Sequence, residues 1–216
     1  MKRVFGTIEV VFDIAYLIAA LIISLILFAN TSAGSPRMLA GIMGLVLVIG
    51  DAFHLIPRVM AVLTKREEQL RKALGYGKLI TSITMTLFYL LLWHIGSVLF
   101  VPKISTGWNY LLYSLAIIRI VLCLLPQNKW QERYPPVSWG IIRNLPFFLI
   151  GVITAIMFFI NRVEYTGLSL MWLAITLSFL FYLPVVLWSS KNSKLGMLML
   201  PKTCAYIWIL IMFLSL

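Results

Sequence analysis

The stretch Met38-Leu39-Ala40-Gly41-Ile42-Met43-Gly44-Leu45-Val46-Leu47-Val48-Ile49-Gly50-Asp51-Ala52-Phe53-His54-Leu55-Ile56-Pro57-Arg58 decides the fold. Its first part, 38–49, is apolar throughout and reads as a buried or lipid-facing helix. Continued to residue 63, the run has the length that crosses a bilayer, roughly 20 residues of helix. Its second part sets an acid, an imidazole and a guanidinium into the same helix. Asp51, His54 and Arg58 fall at i, i+3 and i+7, so one face carries all three. An ionisable group within a membrane helix is costly and usually faces protein or a water-filled interior. That face is a candidate functional site. The alternative for Arg58, which follows Pro57, is a side chain that reaches the headgroups from a helix end.

The same kind of run recurs along the chain, over 7–29, 78–100, 108–125, 139–160, 166–188 and 198–216, which with 38–63 makes seven candidate spans. The composition agrees, with 62% hydrophobic residues, 12% charged residues and a mean hydropathy of +0.99. A soluble domain carries about 25% charged residues. In lipid every backbone N–H and C=O must find a partner inside the protein, so runs this long and uniformly apolar are helices. The expected fold is all-α, a polytopic bundle of seven transmembrane helices forming a single domain over 1–216. Met1-Lys2-Arg3 followed by an apolar run imitates a signal peptide, but 7–29 outlasts a typical signal core and carries Asp13, so it reads as a retained first span.

The net charge of +11 sits in short connections. Lys2, Arg3 and the basic residues of 58–78, 129–143 and 191–202 fall on one side, and only Arg37, Lys103 and Arg162 fall on the other. Basic loops stay cytoplasmic, which places the N-terminus inside and Leu216 outside. The basic excess is accounted for by topology and anionic headgroups, so membrane lipids rather than nucleic acid are the expected partners. The connection 64–77 reads as a solvated loop, with a short interfacial helix as the alternative. The expected location is an integral, multi-pass one, in a bacterial cell membrane.

The remaining polar groups of the spans converge on the cytoplasmic half. Glu9 and Asp13 are i, i+4 on the first helix, with Tyr16 on the same face. Asp51 and His54 lie on the second, Arg119 on the fourth, and Arg143 with Asn144 near the start of the fifth. They are expected to line one cavity open to the cytoplasm, with Asp51 or Asp13 paired to Arg119 and Glu9 paired to a surface base. Structural ion pairing within a bundle is the alternative. Lys202 stands at the start of the last span beside Pro201 and is expected to snorkel. His94 follows Trp93 near the outer end of the third span, an interfacial aromatic pair. The two histidines lie in opposite halves of the membrane, and no Cys or His spacing fits a metal site. No phosphate-binding loop, nucleophile elbow or nucleic-acid module occurs, so no metal and no cofactor is expected.

Gly44-Leu45-Val46-Leu47-Val48-Ile49-Gly50-Asp51 resembles part of the YhhN, or lysoplasmalogenase-like, membrane family, whose members carry a Gly-Asp pair late in an apolar span near the N-terminus. Only Gly50 and Asp51 carry over. Members usually have about eight spans, and a later Ser-Asp pair; here Leu177-Ser178-Phe179-Leu180 has the serine without the acid. The resemblance implies hydrolysis of the vinyl ether of a lysolipid to an aldehyde and a glycerophospho-headgroup. That reaction needs an acid to protonate carbon and a group to guide water. Asp51 is the candidate acid, with Asp13 or His54 replacing the missing one. Arg58, Arg119 or Arg143 would hold the lipid phosphate. Two rival readings use the same residues: a small transporter or lipid- or ligand-binding protein, and a purely structural subunit.

Overall fold

The computed structural model describes residues 2–29, 31–101, 104–133, 135–189 and 192–216, and of residues 2–5 and 193 the backbone alone. Lys103, Lys191 and the side chains of Lys2 and Arg3, all used above to orient the chain, lie outside the described residues. The protein is all-helical, with 7 helices long and apolar enough to cross a membrane and no strand among the described residues. They are α1 (Lys2–Phe28), α2 (Pro36–Thr64), α3 (Glu67–Leu99), α4 (Thr106–Leu124), α5 (Val137–Ile160), α6 (Met171–Trp188) and α7 (Met199–Met212). Short 3-10 turns precede α6 at Thr166–Leu168 and α7 at Ser193–Leu198.

Local chemistry sets several boundaries. Ser35 caps α2 by accepting from the Met38 N–H at 3.2 Å, with Pro36 in the first turn where no N–H is needed. Ser105 caps α4 in the same way, accepting from Gly107 N at 3.2 Å. The connection expected over 64–77 is helical instead, and α3 runs for 33 residues from Glu67. Its sequence explains this. Glu67 and Glu68 favour a helix N-terminus, Arg71 pairs with Glu68 one turn on, and Gln69 to Ala73 are good helix formers.

Each helix packs on its neighbours in the chain, and α7 returns to α1, so the seven close into a ring. The third helix is drawn inward. It touches α2, α4 and α5, its Phe88 reaches Tyr206 of α7 at 5.5 Å between ring centroids, and its Tyr89 meets Ser178 of α6. The outward faces stay apolar: Ile8, Val11, Ile14, Ile18 and Ile22 of α1 are all exposed, as an acyl-chain environment permits.

The tightest seam joins α2 to α3. A Cβ on Gly77 would lie 2.4 Å from the Phe53 carbonyl oxygen and 2.8 Å from His54 Cα. That carbonyl is the one Pro57 leaves without a helical N–H, so α3 covers an acceptor its own helix cannot satisfy. A Cβ on Gly50 would run into Thr84 at the same seam, and the Thr81 hydroxyl donates to Gly50 O at 2.8 Å. Glycine lets the backbones touch at Gly77 and lets the Thr84 side chain lie against the backbone at Gly50. The contact also fixes the rotation of α2, which turns Asp51 away from α3 and towards α1 and α7.

Candidate functional site

Asp51 is 8% exposed and accepts a hydrogen bond at 2.6 Å from the phenol of Tyr16 on α1. One turn along α1, Asp13 is also buried and lies within electrostatic reach of Asp51, Glu9 and Arg58. Glu9 forms an ion pair with Arg58, 2.7 Å from Nε to Oε1, where both side chains are partly in contact with the surroundings. Asp51 and Arg58 therefore both meet α1, from a buried carboxylate to an exposed pair, while His54 between them lies with its Cα against Gly77 of α3. His54 is half-buried, and its Nδ1 has no hydrogen-bond partner.

The charge opposite Asp51 is Lys202 of α7. Lys202 was expected to snorkel, and it does not: it is 6% exposed, its Nζ 4.4 Å from the ring centre of Tyr182 and 5.1 Å from that of Tyr206. Helix phase explains the difference. Lys202, Tyr206, Ile209 and Phe213 follow one another at helical spacing, and all four are buried. The ammonium is thus carried inward on the face that packs α7 into the bundle.

Arg119 of α4 is 2% exposed, and it pairs with neither Asp51 nor Asp13, contrary to expectation. Its guanidinium carbon lies 3.3 Å from the ring centre of Phe147, and the Cys123 thiol one turn on is its polar neighbour. Nε and Nη1 have no acceptor. Stacking on an aromatic ring contributes roughly 2 kcal/mol when desolvated, and removing the ion from water costs several times that. The arrangement is electrostatically incomplete. Tyr182, Tyr206 and the Lys202 ammonium all lie within electrostatic reach of this guanidinium.

Hydroxyl groups fill the space between the charges. The Ser178 hydroxyl donates to Ile175 O at 2.8 Å, so the Tyr89 hydroxyl, 2.8 Å away, is the donor to Ser178. The Tyr182 hydroxyl donates to Asn144 Oδ1 at 3.2 Å, and Asn144 Nδ2 donates to Gly140 O at 2.8 Å. Ser178 is thus committed to a helix-to-helix hydrogen bond. Arg143 stands apart. Its Nη1 donates to Asn128 Oδ1 at 2.9 Å and its guanidinium stacks on Trp130 at 4.2 Å, which fastens the α4–α5 connection.

The polar groups thus divide into two sets. Asp13, Tyr16, Asp51, His54, Glu9 and Arg58 run along α1 and α2, while Arg119, Lys202 and the tyrosines sit between α3 and α7, with Asp51 and Lys202 joining them. A shared cavity was expected there. Two depressions lie elsewhere: an apolar groove of about 310 Å³ between α5 and α6, lined by Gly151, Phe159, Trp172 and Phe179 among others, and a hollow beside Ile26, Ala29, Arg37 and Leu216. No metal-holding group of three or more His, Cys, Asp or Glu occurs among the described residues. The residues that sequence reasoning missed carry a weak signal: Lys202 with Tyr206, and Ser178 with Tyr182, are i, i+4 pairs within otherwise apolar helices. The chain matches no family model, no curated protein and no solved structure. What the arrangement offers chemically is a buried centre with two cations, one carboxylate within electrostatic reach and several hydroxyls.

Proposed function

We propose that this integral, multi-pass membrane protein binds a small or amphiphilic molecule at its buried polar centre, as a transporter or lipid-binding protein does. The observation that carries the reading is the burial of Lys202 and Arg119 between helices, with the Tyr16-bonded Asp51 within electrostatic reach of the lysine. A bundle that needed only stability would fill that space with apolar side chains, which is often at least as stable. Intramembrane charge kept at that cost belongs to substrate or ion pathways. In this reading the N-terminus is cytoplasmic and Leu216 is outside, in a bacterial cell membrane, so the Glu9–Arg58 pair marks the cytoplasmic edge of the site. The test is thermal unfolding of the detergent-solubilised protein against fatty acids, lysolipids and monoacylglycerols. A ligand at a hundred times its Kd stabilises by about 2.7 kcal/mol, a clear rise in Tm. No rise with any of them would refute the proposal.

A second reading, hydrolysis of a lysolipid vinyl ether, draws on a different observation. Asp13 and Asp51 come from adjacent helices and lie within electrostatic reach of each other, with the unpartnered Nδ1 of His54 one turn along α2 from Asp51. One carboxyl would protonate the vinyl carbon, and a second group would guide water onto the resulting oxocarbenium ion. The hemiacetal so formed collapses to aldehyde and glycerophospho-headgroup. Incubation with a lysoplasmalogen and detection of free aldehyde tests it, with Asp51→Asn as the control that abolishes product. Unchanged turnover in that variant would remove Asp51 from the chemistry.

A further inference from the structure

Arg119 is the least compensated charge in the bundle. Five N–H donors point from a planar fork that is 2% exposed, yet two of its nitrogens have no acceptor. The charged group within electrostatic reach is another cation, Lys202, while the Phe147 ring covers one face of the fork and the Cys123 thiol is its polar neighbour. Lys202 in turn lies over the rings of Tyr182 and Tyr206, within electrostatic reach of Asp51. Two cations therefore approach one another from α4 and α7 through touching rings, Arg119 on Phe147, Phe147 against Tyr182 at 6.2 Å, and Lys202 on Tyr182, and no carboxylate of the described residues forms a salt bridge with either of them. What the pair lacks is a group with two or more anionic oxygens. A guanidinium fork is shaped for such a group, which it grips through two parallel N–H···O bonds.

We infer that Arg119 and Lys202 together receive one oxyanion group of the ligand, a carboxylate or a phosphate monoester, with Tyr182 beside it. This rests on the ligand-binding reading above and names the chemistry that reading leaves open. The guanidinium takes two oxygens edge-on while it stays stacked on Phe147. The ammonium takes the remaining charge, and Asp51 balances the lysine from behind. The set then carries two cations against two anions, where without the ligand it carries two against one. The group sits either on a lipid or on a small soluble solute. An apolar tail belongs to the first case.

The test is thermal unfolding of the full chain in maltoside micelles with oleate, lysophosphatidate, inorganic phosphate, acetate and the uncharged monoolein. Wild type is expected to be stabilised by the anionic amphiphiles and not by monoolein. Arg119→Gln and Lys202→Gln are each expected to weaken the apparent affinity by about thirtyfold or more. Arg119→Lys keeps the charge and loses the fork, and is expected to fall between wild type and Arg119→Gln. Stabilisation by phosphate or acetate as strong as by the amphiphiles supports the site with a soluble ligand. Arg119→Met supplies a readout without ligand: it removes an uncompensated buried charge, so the empty variant is expected to unfold no earlier than wild type. Equal stabilisation by monoolein and oleate overturns the oxyanion site and leaves ligand binding standing. An anion response that survives both glutamine variants overturns it as well. No response to any compound overturns both readings, and an Arg119→Met protein that unfolds well before wild type shows the arginine to be structural and overturns this one.

Discussion

Replacing Tyr16 by phenylalanine deletes one oxygen atom and tests whether Asp51 belongs to a working pair or merely fills space. The phenol is 4% exposed and donates to Asp51 Oδ2 at 2.6 Å, a short distance of the kind charge-assisted bonds show. Hydrogen bonds to a charged partner contribute about 1.5–3 kcal/mol net. Nothing else moves, because the ring stays in place. Tyr16→Phe should therefore cost about 2 kcal/mol, roughly thirtyfold in the ratio of folded to unfolded protein. Asp51→Leu should cost more, since it also takes away the carboxylate that faces Lys202. On the Asp51→Leu background the phenol has no acceptor left, and Tyr16→Phe should then cost almost nothing. The assay is reversible unfolding in mixed maltoside and dodecyl sulfate micelles, followed by fluorescence of the 7 tryptophans. The double-mutant cycle isolates the pair. Equal costs of Tyr16→Phe in the two backgrounds would refute the coupling, and with it the view that α1 positions the carboxylate.

The α2–α3 seam predicts that Gly77→Ala destabilises by about 1–3 kcal/mol, although alanine is the better helix former by about 1 kcal/mol; a gain in stability in the same unfolding assay would show that the backbones do not touch. Asn128→Ala removes the donor to the Leu122 and Leu125 carbonyls, at 2.6 and 2.9 Å, and the acceptor for Arg143; tryptic cleavage after Lys129 should quicken, and an unchanged rate would count against the clamp. Topology is checked with cysteine replacements and a membrane-impermeant maleimide, after Cys123 and Cys204 are removed. Lys65→Cys should react only in opened cells and Arg162→Cys in intact ones, and the reverse pattern would invert the orientation.

The bundle was legible because its signal is one of length and apolarity, repeated along the chain, and lipid leaves a backbone few alternatives. Boundaries were less so. The polar residues from Glu67 to Lys72 look like a loop to a hydropathy reading, yet they are helix formers with a favourable charge order, and they extend α3 beyond the apolar run. The face of Asp51, His54 and Arg58 followed from spacing alone, as did the pairing of Glu9 with a surface base. The partner of a buried charge did not. Arg119 and Asp51 both lie in the polar half of their helices, but which carboxylate meets which cation depends on the rotation and order of the helices. Sequence spacing within one helix says nothing about either. Lys202 was misjudged for a related reason: its place near a helix start pointed to the headgroups, whereas its phase with Tyr206, Ile209 and Phe213 points it inward.

Because α2 and α3 meet backbone to backbone at Gly77, and Thr84 seats against Gly50, neither helix can slide or roll past the other without collision. The hairpin moves as one rigid stave, with Asp51 fixed to it. In the proposed ligand-binding reading, admission of a molecule to Lys202 then falls to the opposite arc of the ring. There Pro146 and Pro184 each interrupt a helical ladder, in α5 and α6, and supply the weak points about which a gate can bend.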